Sequence, residues 1–342
     1  MTHGTRPTRS SKTVQDYESL YVSLKGTLGR QFGFQDITPN EMVAALLVNH
    51  RDGAYTKNTW RRYKAAVLQG LRTHHPEYTE AIDLLEATSD ADLPKHSELT
   101  SSLKAKKVPN LAFEVLTRAL LSRLRTGHTH ASAMLAVFQA TILTGLRPNE
   151  WAHALIGEHQ KTGRRILEVQ NSKHSNGRAN GEARSMFIDR LAAKELGIIE
   201  RAIAAFKARQ TDEAIEKYLK QLRKELDSTK RAILKSPEIT PEIRASLKGV
   251  SLYSCRHQFV ADAKRDLANN PDGPAILAAL LGHNSADTAP LHYGKRRCGK
   301  SAIKVWPTPE SIEAVTKKTM KRSPMATARK EQSKIGLGFD PF

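Results

Sequence analysis

Residues 280–293 read LLGHNSADTAPLHY, an apolar helix end that runs into Gly-His and reaches Tyr293 ten residues after the histidine. The tyrosine stands in a basic setting, since residues 294–297 read GKRR. Upstream, Arg147 and Arg256 each follow a signal that ends or turns a helix. Guanidinium groups at these places can converge on one phosphate, and the stretch therefore raises the hypothesis that Tyr293 attacks DNA.

The charge of the chain favours a polyanionic partner. Its 342 residues include 54 Lys+Arg and 35 Asp+Glu, which gives a net charge of +19 and a pI near 9.9. Such an excess creates a field that attracts nucleic acid. The alternatives are a basic protein without a nucleic-acid partner and one that binds anionic lipid, but the sequence carries no lipid anchor. We therefore predict double-stranded DNA as the partner.

Composition also argues against a membrane or secreted protein. The sequence has no run of ~18 apolar residues, and Met1 to Lys12 is polar and basic, without the apolar core of a signal peptide. The two cysteines, Cys255 and Cys298, are not at metal-ligand spacing and give little support for an oxidising compartment. We expect a cytoplasmic protein of about two domains.

The N-terminal part divides into an arm and a helical domain. Residues 1–35 are predicted to form a basic arm, which begins with Arg6, Arg9 and Lys12 and no acid. Residues 36–86 are predicted to form a helical DNA-binding domain, which starts at the capping box Thr38-Pro39-Asn40-Glu41.

A basic helix in that domain is the first candidate DNA contact. From Thr56 it has Trp60, Tyr63, Val67 and Leu71 on one stripe. The other faces carry cations without interleaved acids, which favours phosphate contact over a merely solvated helix face. The candidate residues are Arg61, Arg62 and Lys64.

Residues 87–109 are predicted to be a linker, because they are rich in Ser, Thr, Asp and Pro. The basic end of this segment suits a crossing of the phosphate backbone, with Lys104, Lys106 and Lys107 as candidate contacts. A second domain over 110–307 follows, and residues 308–342 are predicted to be a basic tail.

The second domain reads as mainly helical with one hairpin. A helix closes on Gly145, and residues 165–170 and 184–188 have strand patterns on either side of a long turn. Lys173 lies where the first strand enters that turn. Highly charged helical sequence extends to Ser236, and further helices follow at 250–260 and 274–281. The predicted fold class is mainly α with a small β-hairpin or sheet (α+β).

Together these motifs resemble the catalytic domain of the tyrosine recombinase (phage integrase) family. The resemblance covers about residues 110–305 and rests on TGLRPNEW at 144–151, Lys173, CRHQF at 255–259, LLGH at 280–283 and Tyr293, in that order. Residues 36–86 are similar in kind to the core-binding domain of that family.

The resemblance implies a site-specific recombinase that cleaves and rejoins duplex DNA through a 3′-phosphotyrosyl intermediate. It implies no metal and no cofactor, a homotetramer on paired DNA sites, an accessory DNA-binding protein in some systems, and a bacterial, phage or mobile-element origin. It also implies that the tail passes into a neighbouring subunit.

Phosphodiester transfer explains the residue types. Arginine suits the two non-bridging oxygens because its planar fork bonds both and keeps its charge, which makes Arg147 and Arg256 the candidate clamp. A tyrosine, with an ordinary pKa of about 10, needs cations or a base nearby if Tyr293 is to be the nucleophile. Lys173 is the candidate general acid for the leaving 5′ oxygen. His283 is expected to bond the phosphate or accept the proton of the nucleophile.

Other residues support or rival these roles. Glu150 is the candidate partner that orients Arg147, while Lys161, Arg178 and Arg184 are rivals for the role of Lys173. Read singly, Arg147 and His283 are equally typical of helix caps, and Tyr293 of a packing residue.

Two departures from the family pattern are visible. Tyr253 stands where the family usually has His or Lys, so that His257 or His283 is expected to carry more of the acid–base work, and Tyr253 becomes a rival nucleophile. The interval from His283 to Tyr293 is also about one residue longer than is common. These departures keep two alternatives open: an inactive DNA-binding accessory protein of the same fold, or an enzyme that resembles a type IB topoisomerase.

Overall fold

The computed structural model describes residues 11–94, 105–172, 179, 181–209, 211–285 and 299–317. The chain forms two compact units, residues 1–103 and 104–342. The boundary between them falls within the predicted linker 87–109. Both sides of that segment pack into a unit, since Leu93 is buried in the first and Val108 in the second.

The first unit is helical and consists of α1 (Ser11–Phe32), α2 (Pro39–Arg51), α3 (Lys57–His74) and α4 (Thr79–Ala87). The capping box predicted at Thr38 is present: its hydroxyl accepts a bond from the Glu41 N–H, and the Glu41 carboxylate accepts one from the Thr38 N–H. Helix α3 places Trp60, Val67 and Leu71 in the core, as its apolar stripe predicts.

Helix α1 corrects the predicted arm of residues 1–35. Its residues Tyr21, Leu24 and Leu28 are buried in the core of the first unit. They are spaced at three and four residues and so form one helical stripe. A Cβ at Gly70 of α3 would lie 2.3 Å from the Tyr21 ring, so the two helices approach closely there. The arm prediction is therefore wrong for residues 11–32, because the apolar stripe of this segment is buried in a core.

The second unit combines α-helices with a four-stranded sheet in its described part. In chain order its elements are α5 (Asn110–Arg125), α6 (Ala131–Thr144), a 3₁₀ turn (Glu150–His153), β1 (Ala154–Glu158), β2 (Arg165–Gln170), β3 (Ala183–Phe187), α7 (Ala193–Ala204), α8 (Asp212–Leu234), α9 (Pro241–Leu247), α10 (Leu252–Asp266), α11 (Gly273–Leu281) and β4 (Trp306–Pro307).

The sheet is antiparallel throughout, in the order β1-β2-β3-β4. Strands β2 and β3 confirm the predicted hairpin, with Gln170 paired to Ala183 next to the connecting turn. Strand β4 has only two residues, too few to show a period. The predicted fold class, mainly α with a small sheet, is confirmed.

Helix α6 is the centre of the second unit and packs against α5, α7, α8 and α10. Its residues Met134, Val137 and Phe138 are fully buried. A helix apolar on most sides is typical of such a central position. Its C-terminal end therefore lies at a fixed place, next to α10.

The predicted tail 308–342 begins inside the folded unit. Residues 309–317 are helical, and Val315 is fully buried against Ala278 and Ala279 of α11. The Ser311 hydroxyl donates to the Ser185 carbonyl at 3.1 Å. The tail prediction is therefore wrong for residues 308–317, whose burial fixes them to α11 and β3. In the described part of the chain, no helix is long and apolar enough to span a membrane.

Candidate active site

Two helices of the second unit end at glycines in the left-handed conformation. Gly145 follows α6 with φ 71°, and Gly282 follows α11 with φ 65°. Both positions are also crowded: a Cβ would lie 2.2 Å from the Phe259 ring at Gly145 and 2.2 Å from Asn171 Oδ1 at Gly282. Glycine is thus required at each turn for its backbone angle and for the close approach of a neighbour.

Glu150 lies at the centre of the site and its side chain is fully buried. The carboxylate accepts bonds from the Arg147 backbone N–H at 2.7 Å and from Arg147 Nη1 at 2.6 Å. It also accepts one from Arg184 Nη2 at 2.8 Å, and Arg256 Nη1 lies 3.8 Å away.

The electrostatics of this cluster favour an anion. Burial raises the pKa of Glu150, but Arg184, Arg147 and Arg256 outweigh it and hold that pKa well below its usual range. Glu150 is therefore ionised at neutral pH. Since three guanidinium groups surround one carboxylate, positive charge remains in excess.

Arg256 joins the two glycine turns. Its side chain is fully buried, Nη1 donates to the Gly145 carbonyl at 2.5 Å, and Nη2 donates to the Leu281 carbonyl at 2.9 Å. Its Nη2 also lies 3.4 Å from His283 Nε2. The structure thus brings together four sequence-predicted residues: Arg147, Glu150, Arg256 and His283. Of the two arginines in the predicted clamp, Arg147 is the more accessible, with 11% of its side chain exposed.

Tyr253, which stands where the resembled family usually has His or Lys, lies in the N-terminal turn of α10. Tyr253 is 38% exposed, and its ring meets that of His257 edge-on with centroids 5.3 Å apart. Burial, Lys106 and Arg256 lower the pKa of His257 to about 4. His257 is therefore neutral at neutral pH and a weak proton acceptor there.

Several predicted residues lie outside the described part of the chain: Lys104, Lys173, Arg178 and Tyr293. The other rivals of Lys173 are described. Lys161 is exposed and pairs with Glu310 at 3.2 Å. Arg184 is only 2% exposed and contacts Glu150, so it does not present its guanidinium to solvent.

A buried network around Arg184 was not predicted as part of the site. Arg184 Nη1 donates to Asn171 Oδ1, and Arg184 Nε donates to the Leu280 carbonyl at 3.0 Å. The amide of Asn171 in turn donates to the Gly181 carbonyl at 3.0 Å. A signal was present, because Arg184 shares its strand face with Met186, and a charge on a buried face needs a partner.

The predicted DNA-contacting cations fall into two groups. Arg61 Nε pairs with Asp90 at 2.5 Å, and Lys64 Nζ donates to the Glu86 and Thr88 carbonyls at 2.8 Å each. Arg62, Lys106 and Lys107 are exposed. Contact with DNA stays a prediction for all of them. Among the described residues, no group of three or more His, Cys, Asp or Glu side chains is arranged to hold a metal ion.

Comparison with known proteins gives similarity at the level of fold. No protein-family model matches the chain, and no curated protein matches it. A lambda integrase dimer bound to a COC′ core site is similar with a TM-score of 0.45 and 16% identity, covering 86% of this chain and 75% of that one. A lambda integrase tetramer bound to a Holliday junction gives 0.43 and 14%, covering 86% and 74%. These values describe a resemblance of fold and do not extend to activity.

Proposed function

We propose that this chain is a site-specific recombinase that cleaves and rejoins duplex DNA through a 3′-phosphotyrosyl intermediate. The observation that carries the proposal is the cluster in which Glu150 holds Arg147 while Arg256 and His283 meet 3.4 Å apart. Such fixed donors suit a phosphate whose non-bridging oxygens gain charge in the transition state, because they need no reorganisation when that charge appears.

In the proposed step the Tyr293 oxygen attacks the phosphorus, a tyrosyl O–P bond forms, and the bond from phosphorus to the 5′ oxygen breaks. His283 accepts the phenol proton, and Lys173 donates a proton to the leaving 5′ oxygen. Rejoining reverses these transfers. The energy of the broken phosphodiester is retained in the phosphotyrosyl bond, so that no nucleotide cofactor is required. A homotetramer on paired sites and a mobile-element context belong to the same proposal.

The proposal is tested by trapping the covalent intermediate. The substrate is a nicked duplex whose sequence comes from the DNA that flanks the gene of this protein. After cleavage, the short strand that carries the freed 5′ oxygen dissociates, so that rejoining fails and the adduct persists. Wild type should form the adduct, and Tyr293→Phe should bind the same DNA without forming it.

Tyr253→Phe is the matched control, since it removes the exposed hydroxyl of α10. It should still form the adduct. An adduct that persists in Tyr293→Phe and disappears in Tyr253→Phe would assign the nucleophile to Tyr253 instead.

A DNA-binding protein without cleavage is the second candidate, favoured by Tyr253 and His257. Tyr253 is a neutral phenol at the position where the family resemblance implies His or Lys. The pKa of His257 is lowered to about 4. This candidate requires binding whose log K falls with log salt by about 0.9 per phosphate contact. It also requires that wild type form no adduct on any DNA that it binds.

A further inference from the structure

Arg184 connects three segments that carry the candidate site. Its guanidinium donates to the Glu150 carboxylate at 2.8 Å, to the side chain of Asn171 next to β2, and to the Leu280 carbonyl of α11 at 3.0 Å. These partners lie 34, 13 and 96 residues away in the chain. A single buried side chain therefore fixes the relative positions of the 3₁₀ turn, the hairpin and α11.

The contact with Asn171 lies at the end of the hairpin where β2 enters the connecting turn. The Asn171 N–H donates to the Glu182 carbonyl at 2.7 Å, and its side-chain amide donates to the Gly181 carbonyl at 3.0 Å. The next residue, Ser172, points back to the cluster, with Oγ 3.4 Å from Glu150 Oε1. Asn171 and Ser172 are thus tied to the same carboxylate that holds Arg147.

Gly282 closes the network from the side of α11. Its missing Cβ would lie 2.2 Å from Asn171 Oδ1 and 2.8 Å from Arg184 Nη1. The turn before His283 is therefore in direct contact with the Arg184–Asn171 pair.

We propose that Arg184 is a positioning residue, which holds Asn171 and Ser172, the residues before Lys173 in the chain, in register with the Arg147–Arg256 pair. The inference rests on the proposed function, and its effect falls on proton delivery to the leaving 5′ oxygen. Arginine is required because its planar fork serves three acceptors in fixed directions. A lysine keeps the charge but cannot reach all three.

The test compares two leaving groups on the nicked DNA substrate. A 5′-bridging sulfur leaves as a thiolate, whose conjugate acid has a pKa of about 8.5, and so needs no general acid, whereas the natural oxygen does. Arg184→Lys should slow single-turnover adduct formation by about 100-fold on the oxygen substrate, in line with the effect of a misplaced catalytic group. On the sulfur substrate most of this loss should disappear, while DNA binding stays unchanged.

Three reference variants show how each outcome of this comparison is to be interpreted. Lys173→Ala should show the same rescue by sulfur, and Arg147→Ala should show none, because its loss falls on the phosphate itself. Arg164→Lys is the matched control: Arg164 also makes a two-bond contact with a carboxylate, to Asp189 at 3.1 and 2.8 Å, but at an exposed place. It should react at the wild-type rate on both substrates.

Asn171→Ala repeats the test while both Glu150 and Arg184 are kept, and it decides the matter if Arg184→Lys does not fold. It should also show a loss on the oxygen substrate that sulfur rescues. Equal losses on both substrates would reduce Arg184 to a structural role and overturn the inference. Wild-type rates in both variants would overturn it as well. A wild type that forms no adduct on either substrate would refute the proposed function itself, which separates the two failures.

Discussion

Replacing Glu150 by Gln tests whether the buried carboxylate holds the candidate site together. The substitution keeps the shape of the side chain, so that no cavity forms. It removes the charge that faces Arg147, Arg184 and Arg256, and it directs an NH₂ group at guanidinium donors. Breaking a buried ion pair by removing one partner costs about 3–5 kcal/mol. We therefore expect the second unit to lose about 3–5 kcal/mol of unfolding free energy at pH 7.

The pH dependence of this loss follows from the direction of the pKa shift. Because the folded-state pKa of Glu150 lies well below its usual range, its charge stabilises the fold fully above the unfolded-state pKa of about 4.3. That contribution is lost as the pH falls through the folded-state value. The difference between wild type and Glu150→Gln should therefore stay constant from about pH 8 to pH 5 and shrink below about pH 4.3.

Urea unfolding at a series of pH values measures this difference. Trp151, fully buried beside Glu150, and Trp306 report on the second unit, provided that Trp60 of the first unit is replaced by Phe in every variant. Asp189→Asn is the control: its partner Arg164 lowers the Asp189 pKa, but both side chains are about 40% exposed and solvent screens them, so at most about 1 kcal/mol should be lost. A Glu150→Gln protein as stable as wild type at pH 7 would refute the reasoning.

Two further predictions concern the turn after α6 and the DNA interface. Gly145→Ala should destabilise the second unit by more than about 2 kcal/mol, because it adds a clash with Phe259 to the left-handed backbone strain. Gly163→Ala, at φ 65° with no atom within 4 Å of its Cβ, should cost only the strain of about 1–2 kcal/mol, and equal losses in the same urea assay would contradict the packing argument. If the exposed Lys107 contacts a phosphate, Lys107→Ala should reduce the slope of log K against log salt by about 0.9, whereas the exposed Lys220→Ala on α8 should leave it unchanged.

The elements of the second unit were largely predictable because their signals are local. Strand β2 and the helix ends at Gly145 and Gly282 follow from periodicity and from glycine, which need only a few neighbouring residues. Helix α1 replaces part of the predicted arm, although its Tyr21, Leu24 and Leu28 form a helical stripe that sequence periodicity could have indicated. Strand β4 is defined by pairing with β3 and not by its own two residues.

The candidate site was only partly predictable for the same reason. Arg147 and Glu150 are three residues apart, so their pairing can be expected from sequence. The contact of Arg256 with the Gly145 carbonyl spans 111 residues, and that of Arg184 with the Leu280 carbonyl spans 96. Such contacts depend on the packing of α6, α10 and β3, which no local pattern specifies. The sequence therefore makes Arg184 a rival general acid, whereas the structure shows it as a buried partner of Glu150.

In this site, carbonyl groups at the ends of helices accept hydrogen bonds from the buried arginines. The last four carbonyls of a helix lack partners within it. At the end of α11 the Ala278 and Ala279 carbonyls accept bonds from the N–H groups of His283 and Gly282. The remaining two, of Leu280 and Leu281, accept bonds from Arg184 and Arg256.

The negative end of the α11 dipole thus faces the buried guanidinium groups and helps to offset their desolvation. Arg256 makes the same kind of contact with the Gly145 carbonyl after α6. Because each buried arginine completes a helix end, its position follows from the packing of the helices. A substitution that moves the end of α6 or α11 should therefore displace these guanidinium groups even where every charged residue is kept.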